Sequence, residues 1–133
     1  MTAKPIPDGY HTVTPYLIVT GAGAFIEFMK QAFGGTERMR SPGPSGAIMH
    51  AEVQLGDSVI MLADASDEAR VRSAMIHLYV TDVDADYRRA LEAGGESIRE
   101  PTDQTYGDRS AAVKDRWGNE WWLATHIKDV APA

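Results

Sequence analysis

The chain has 133 residues, with 13 Lys and Arg against 19 Asp and Glu, for a formal net charge of −6. That length suits one ordinary domain with its own core, and 44% hydrophobic with 24% charged residues excludes a wholly disordered chain. Acidity without a dense Lys/Arg run argues against nucleic acid or an anionic membrane as partner, and the lack of cysteine removes disulfides, thiolate metal sites and cysteine nucleophiles.

The first twenty residues carry Pro5, Asp8, His11 and Pro15 and do not read as a signal peptide. No run approaches the ~18 apolar residues of a membrane span, so a soluble, cytoplasmic domain is expected. Residues 12–19 are β-rich and predict a strand. Phe25, Ile26, Met29, Ala32 and Phe33 fall on one face of a helix over 22–33, and Gly34 supplies its stop. Strands are expected at about 36–41, 47–55 and 58–64. Ser41-Pro-Gly-Pro-Ser-Gly46 separates the first two, and Leu55-Gly-Asp-Ser58 makes a tight hairpin between the others. Residues 65–74 read as a polar linker, with the acids from Asp64 to Glu68 solvated.

The order then repeats. Leu17-Ile-Val-Thr20 and Leu78-Tyr-Val-Thr81 lie 61 residues apart, as do Leu62-Ala63 and Leu123-Ala124. The pairs Gly34-Gly35 and Gly94-Gly95 are 60 apart. Three matches in order point to duplication of a unit of about sixty residues. In the second copy Asp82 caps a helix from Val83, with Val83, Tyr87, Ala90 and Leu91 on one face and Gly94 at its end. Strands follow at about 96–100, 109–114 and 120–126, with Trp117-Gly118-Asn119 at the last turn. The chain is therefore read as one α+β domain over 1–133, made of two βαβββ modules at about 12–64 and 75–127.

Side chains alternate along a strand, so parity sorts the faces of each sheet. Met49, Ala51, Val53 and Leu55 form an apolar face for the first helix, as do Ile60 and Leu62. His50 and Glu52 lie on the other face with Met61 and Tyr16. In the second module Ile76, Leu78, Trp121 and Leu123 oppose Met75, His77, Tyr79, Glu120 and Trp122. Set side by side, the two mixed faces would line a concave cleft, the usual form of a small-molecule site. Arg109 offers a fork for an anionic group or, in the structural alternative, a partner for Asp108 or Asp115. There is no Gly-x-Ser-x-Gly elbow and no phosphate-binding glycine loop. Gly21-Ala-Gly23 lacks the third glycine of a dinucleotide fingerprint, and His11 and His126, near strand ends, are given no role.

Thr14-Pro-Tyr-Leu-Ile-Val19, Ala32-Phe-Gly-Gly35, His77-Leu-Tyr-Val-Thr-Asp-Val-Asp84 and Asp115-Arg-Trp-Gly-Asn-Glu-Trp-Trp-Leu-Ala-Thr-His126 resemble the vicinal oxygen chelate superfamily of glyoxalase I, bleomycin and fosfomycin resistance proteins and extradiol dioxygenases. Tyr106-Gly-Asp-Arg109 and Trp121-Trp-Leu-Ala-Thr-His126 are similar to its PhnB-like subgroup. The resemblance implies the paired-module fold with its barrel-like cleft and a homodimer. In the enzymatic members a divalent metal is held by His or Glu at four strand positions, and here these align with Thr14, Met61, Met75 and Trp122. None is a usual ligand for such an ion. The expectation is a cofactor-free, small-molecule-binding protein, with Thr14, Tyr16, His50, Glu52, Met61, His77, Tyr79, Arg109 and Trp122 as ligand-contacting residues. The alternative is a metal-dependent isomerase, lyase or dioxygenase with a relocated divalent ion on His50, His77 and Glu52 or Glu120. A third reading is a domain that binds a partner protein.

Overall fold

The computed structural model describes residues 3–131. The chain runs β1 (Tyr16–Val19), α1 (Ala22–Phe33), β2 (Thr36–Pro42), a short 3-10 turn (Pro44–Gly46), β3 (Ile48–Leu55), β4 (Ser58–Asp64), β5 (Met75–Tyr79), α2 (Val83–Glu92), β6 (Glu96–Asp103), β7 (Asp108–Lys114) and β8 (Glu120–His126). Contacts divide it into two units. One holds the chain up to Lys30 with Gly34–Arg72, and the other holds Gln31–Phe33 with the chain from Ser73. The strands form two four-stranded sheets, ordered β1-β4-β3-β2 and β5-β8-β7-β6. β1 runs parallel to β4 and β5 to β8, and the other neighbours are antiparallel. A parallel pair needs a long crossover, and the intervening helix and strands supply it. The βαβββ order is thus realised twice, and neither sheet closes on itself. No helix among the described residues is long and apolar enough to cross a membrane.

In the first unit α1 buries Ala22, Phe25, Ile26 and Met29 completely, on the face its periodicity predicts. Gly34, at φ 68°, ends the helix and donates its N–H to the Lys30 carbonyl. The chain then passes hard against β3, because a Cβ on Gly35 would sit 2.8 Å from Val53 Cγ1. The start of α1 has no side-chain cap of its own, since its cap residue is Gly21. Asp64, at the end of β4, takes that role instead. Its Oδ1 accepts the N–H of Gly21 at 3.2 Å and of Ala22 at 2.8 Å, and its Oδ2 accepts that of Ile48 at 2.8 Å. Asp64 is therefore a structural clasp joining α1, β3 and β4, which corrects its assignment to a solvated acidic linker.

Two strand expectations are also corrected. β1 begins at Tyr16, not at residue 12, because Pro15 has no N–H to give the ladder. Only its carbonyl is engaged, accepting from Met61 N at 2.9 Å, while Val13 is 81% exposed. Met49 does not join the helix-facing row. Ser41 pairs with His50 and Pro42 with Ile48, so Met49 is the extra residue of an irregularity in the β2–β3 ladder. It is turned out to 63% exposure and lies across Gly43, where a Cβ would come 2.3 Å from its Cγ.

In the second unit Asp82 caps α2 as expected, accepting from Ala85 N at 3.2 Å, and Val83 and Ala90 are buried. The β7–β8 connection is organised by the buried carboxylate of Asp115. Its Oδ1 accepts the N–H of Trp117 and of Asn119, both at 2.9 Å. Its Oδ2 accepts Asn119 Nδ2 at 3.1 Å and Trp121 Nε1 at 2.8 Å. Asn119 in turn accepts Ala74 N on Oδ1 at 2.9 Å, which fixes the entry to β5. The Asp115-Arg-Trp-Gly-Asn-Glu-Trp run is thus a hydrogen-bonded corner that holds the second sheet together.

Candidate functional site

In the first unit, the face of the sheet that carries Tyr16, His50, Glu52 and Met61 bears a continuous polar chain. Tyr16 of β1 stands opposite Met61 of β4, and Met61 stands opposite Glu52 of β3. Glu52 is only 4% exposed. Its Oε1 accepts the hydroxyl of Tyr10, which reaches in from before β1. Its Oε2 lies 2.8 Å from His50 Nε2, and His50 Nδ1 lies 2.9 Å from the Tyr16 hydroxyl. Arg38 lies over the Tyr10 ring, 4.7 Å from its centroid. Burial pushes the Glu52 carboxyl up, but the bonds from Tyr10 and His50, with the charges of His50 and Arg38, outweigh it and hold the group below its usual range. The bond to that carboxylate raises the Tyr10 phenol. A Tyr10→Phe substitution is expected to move the Glu52 titration upward, measured by carbonyl-carbon NMR. An unchanged Glu52 titration would show that Tyr10 gives it no support.

The corresponding face of the second unit has the same character. Tyr79 is 67% exposed, yet its hydroxyl donates to Asp108 Oδ2 at 3.0 Å. The His77 and Tyr79 rings lie 4.8 Å apart. Trp122, half-buried opposite His77, donates Nε1–H to Glu120 Oε1 at 3.0 Å and lies beneath the guanidinium of Arg99. Ser110, on the same face and buried, has a hydroxyl with no partner among the described residues. Met75 is 67% exposed.

His126, given no role from the sequence, bridges two acids. Its Nδ1 lies 2.8 Å from Asp108 Oδ1 and its Nε2 2.7 Å from Asp129 Oδ1. Asp129 first and then Asp108 raise its pKa above the ordinary 6.5, and the bond from His126 leads the causes that lower Asp108. The raised value means that the bridge is complete at acid pH and is lost as pH rises through the folded pKa. Ile127 and Lys128, whose N–H groups both bond to the Gly107 carbonyl, are expected to exchange their amide hydrogens with less protection above that point. A His126→Ala chain should lose this extra pH dependence, as hydrogen-exchange NMR would show. Protection that follows the same pH course in both chains would rule the bridge out as its source.

The structure brings Tyr16, His50, Glu52 and Met61 onto one face within the first unit, and His77, Tyr79 and Trp122 onto one face within the second. Thr14 is half-buried and precedes β1. Arg109 faces the other way. Parity on β7 turns it toward α2, where Asp84 takes its Nε and Nη2 at 3.1–3.3 Å and Asp103 its Nη1 at 3.0 Å. Its carboxylate partners are therefore these two acids, not Asp108 or Asp115. Tyr10, Asp108 and His126 were missed. Asp108 and His126 were readable, because counting back along β7 and β8 from the Trp117-Gly118-Asn119 turn sets them opposite each other. Tyr10 lies 42 residues from Glu52 with no motif of its own. A surface depression of about 440 Å³ lined by Gly94, Glu96, Lys114 and Arg116 adjoins the Asp115 corner.

Within either unit, no three His, Cys, Asp or Glu side chains among the described residues are grouped to hold a metal ion. At the four places where the resemblance puts metal ligands stand a hydroxyl, two thioethers and an indole whose N–H is already given to Glu120. That donor set does not fit a hard or borderline divalent ion.

Two βαβββ units, each with an aromatic and polar face on its sheet, define a class of small mixed-sheet proteins. The model of the Glyoxalase/Bleomycin resistance protein/Dioxygenase superfamily matches residues 10–123, and the chain belongs to that family. It is 35% identical over 129 residues to an uncharacterised protein of Mycobacterium bovis, covering 89% of this chain and 85% of that one. Among solved structures it is similar to TioX from Micromonospora sp. ML1, with a TM-score of 0.74 and 22% identity over 88% of this chain and 99% of that one. It is also similar to TnmS3, an antibiotic binding protein from Streptomyces sp. CB03234, with a TM-score of 0.69 and 24% identity over 87% and 95% of the two chains.

Proposed function

We propose that this chain binds a small, partly aromatic molecule on the mixed faces of its sheets and needs no metal to do so. The observation that carries this reading is the state of the exposed aromatic side chains. Tyr16 and Tyr79 are 47% and 67% exposed, yet each hydroxyl is tied, to His50 and to Asp108. Rings held this way lose little freedom when a planar ligand stacks on them, so contact is not offset by ordering. The likeness of fold to an antibiotic binding protein agrees with a binding role. His50 and Glu52 are already engaged with each other and with Tyr16 and Tyr10, which disfavours the relocated-metal enzyme. The PhnB-like placement, on Tyr106-Gly-Asp-Arg109, and a homodimer belong to the same reading, the latter checked by light scattering.

Indole, titrated while backbone amide signals are followed, is expected to give saturable shifts at residues flanking Tyr16 or Tyr79. Tyr16→Ala and Tyr79→Ala should each weaken binding at their own face by about tenfold. Shifts that never saturate, or binding indifferent to both substitutions, would contradict the proposal.

A further inference from the structure

We infer that, with His50 neutral, the Tyr10–Glu52–His50–Tyr16 chain fixes the direction of its own hydrogen bonds, so that Tyr16 offers only lone pairs outward and the first unit's face selects ligands bearing a hydrogen-bond donor. This deepens the binding reading given above and rests on it.

The direction follows link by link from the buried end. An ionised carboxylate only accepts, and Glu52, bonded by Tyr10 and His50 and close to Arg38, accepts from the Tyr10 hydroxyl on one oxygen. Its other oxygen, 2.8 Å from His50 Nε2, therefore requires the proton on Nε2. A neutral imidazole carries one N–H, so Nδ1 is left as an acceptor. Among the described residues the one group at hydrogen-bond distance there is the Tyr16 hydroxyl at 2.9 Å, which must donate. Its single proton is then spent inward, and the oxygen of this half-exposed residue keeps only lone pairs for a ligand. Met61 and Met39, which flank Glu52 in the register, offer only weak sulfur acceptors. An incoming N–H or O–H is thus satisfied at Tyr16, whereas a ligand carbonyl or ether meets lone pair against lone pair. The selected class is an aromatic N–H or O–H compound, such as an azole, an arylamine or a phenol.

Indole and benzofuran, which share a shape and differ in the N–H, test this together with acetophenone, whose oxygen only accepts. All three are neutral, so the net charge of the protein does not bias the comparison. With wild-type protein at a pH where His50 is neutral, indole is expected to bind at the Tyr16 face roughly five- to tenfold more tightly than benzofuran, the value of one hydrogen bond. Tyr16→Phe should abolish the difference. Nitrogen-15 NMR should show His50 protonated on Nε2. Glu52→Gln supplies the decisive reversal. The Gln amide keeps an acceptor for Tyr10 but donates to His50, which moves the imidazole proton to Nδ1 and turns the Tyr16 hydroxyl outward. In that chain acetophenone should gain and indole lose. A merely structural Glu52 would weaken all three probes alike.

Wild-type His50 protonated on Nδ1, equal binding of indole and benzofuran, or no change of preference in Glu52→Gln would each overturn the directional claim while leaving ligand binding intact. If none of the three probes binds saturably at this face, the binding reading falls with it.

Discussion

Replacing Asp115 with Ala is expected to destabilise the protein by about 4–5 kcal/mol, because it removes a buried charge that organises its surroundings. Four donors lose their acceptor at once: the N–H groups of Trp117 and Asn119, the Asn119 side-chain amide and the Trp121 indole. Asn119 and Trp121 are fully buried, so water does not readily replace what is lost. Asn119 also fixes the N–H of Ala74 before β5, so the damage reaches both β8 and its parallel neighbour. For a domain of this size a loss of that order lowers the melting temperature by roughly 15 °C. The near-isosteric Asp115→Asn keeps one acceptor oxygen but points an amide at two donors, at a cost of about 2–3 kcal/mol. Calorimetry of the two variants checks the ranking. An Asp115→Ala chain within a degree or two of wild type would show that the corner is held by packing alone.

The second large effect is expected at Asp64. Its carboxylate supplies the acceptor that the glycine at the start of α1 lacks, and it also holds the N–H of Ile48. Asp64→Ala combines the loss of a helix cap with the loss of a charged acceptor for a strand N–H, about 2–4 kcal/mol together. The pH dependence has a definite sign. Burial raises the Asp64 pKa, but the backbone donors Ile48, Ala22 and Gly21 outweigh it, and the folded value lies below the ordinary 3.8. Its contribution is therefore complete above pH 3.8 and is lost as pH falls through the lower, folded value. Urea unfolding measured between neutral and strongly acid pH should show the gap between wild type and Asp64→Ala narrowing at the acid end. A gap independent of pH would mean that the substitution acts through something other than the charge.

Much of the architecture was legible because it rests on local rules. The period of Phe25, Ile26, Met29 and Ala32 marked the buried face of α1, and Asp82 marked the start of α2. The Gly56-Asp57 hairpin fixed the β3–β4 register, which by parity alone put Glu52 beside Met61. What escaped depends on distant pairing. The irregularity that turns Met49 outward arises where β2 meets β3 and leaves no trace in the alternation of β3 itself. Asp64 looks like one more acid in a polar run until the starts of α1 and β3 are brought to it. Arg109 was paired in sequence reasoning with its chain neighbours, whereas the sheet turns it toward α2. The candidate face was half-legible: Tyr16, His50 and Glu52 could be placed on one side, but the Tyr10 hydroxyl that completes their chain comes from outside any strand.

In the function proposed for this chain, these side chains form a wall for a ligand and not a metal centre. The most direct measurement is the metal content of protein isolated without chelator, read by mass spectrometry beside a His50→Ala chain. Far less than one divalent ion per chain, unchanged by the substitution, is the expected result. A near-stoichiometric zinc, nickel, manganese or iron content that disappears with His50 would contradict it.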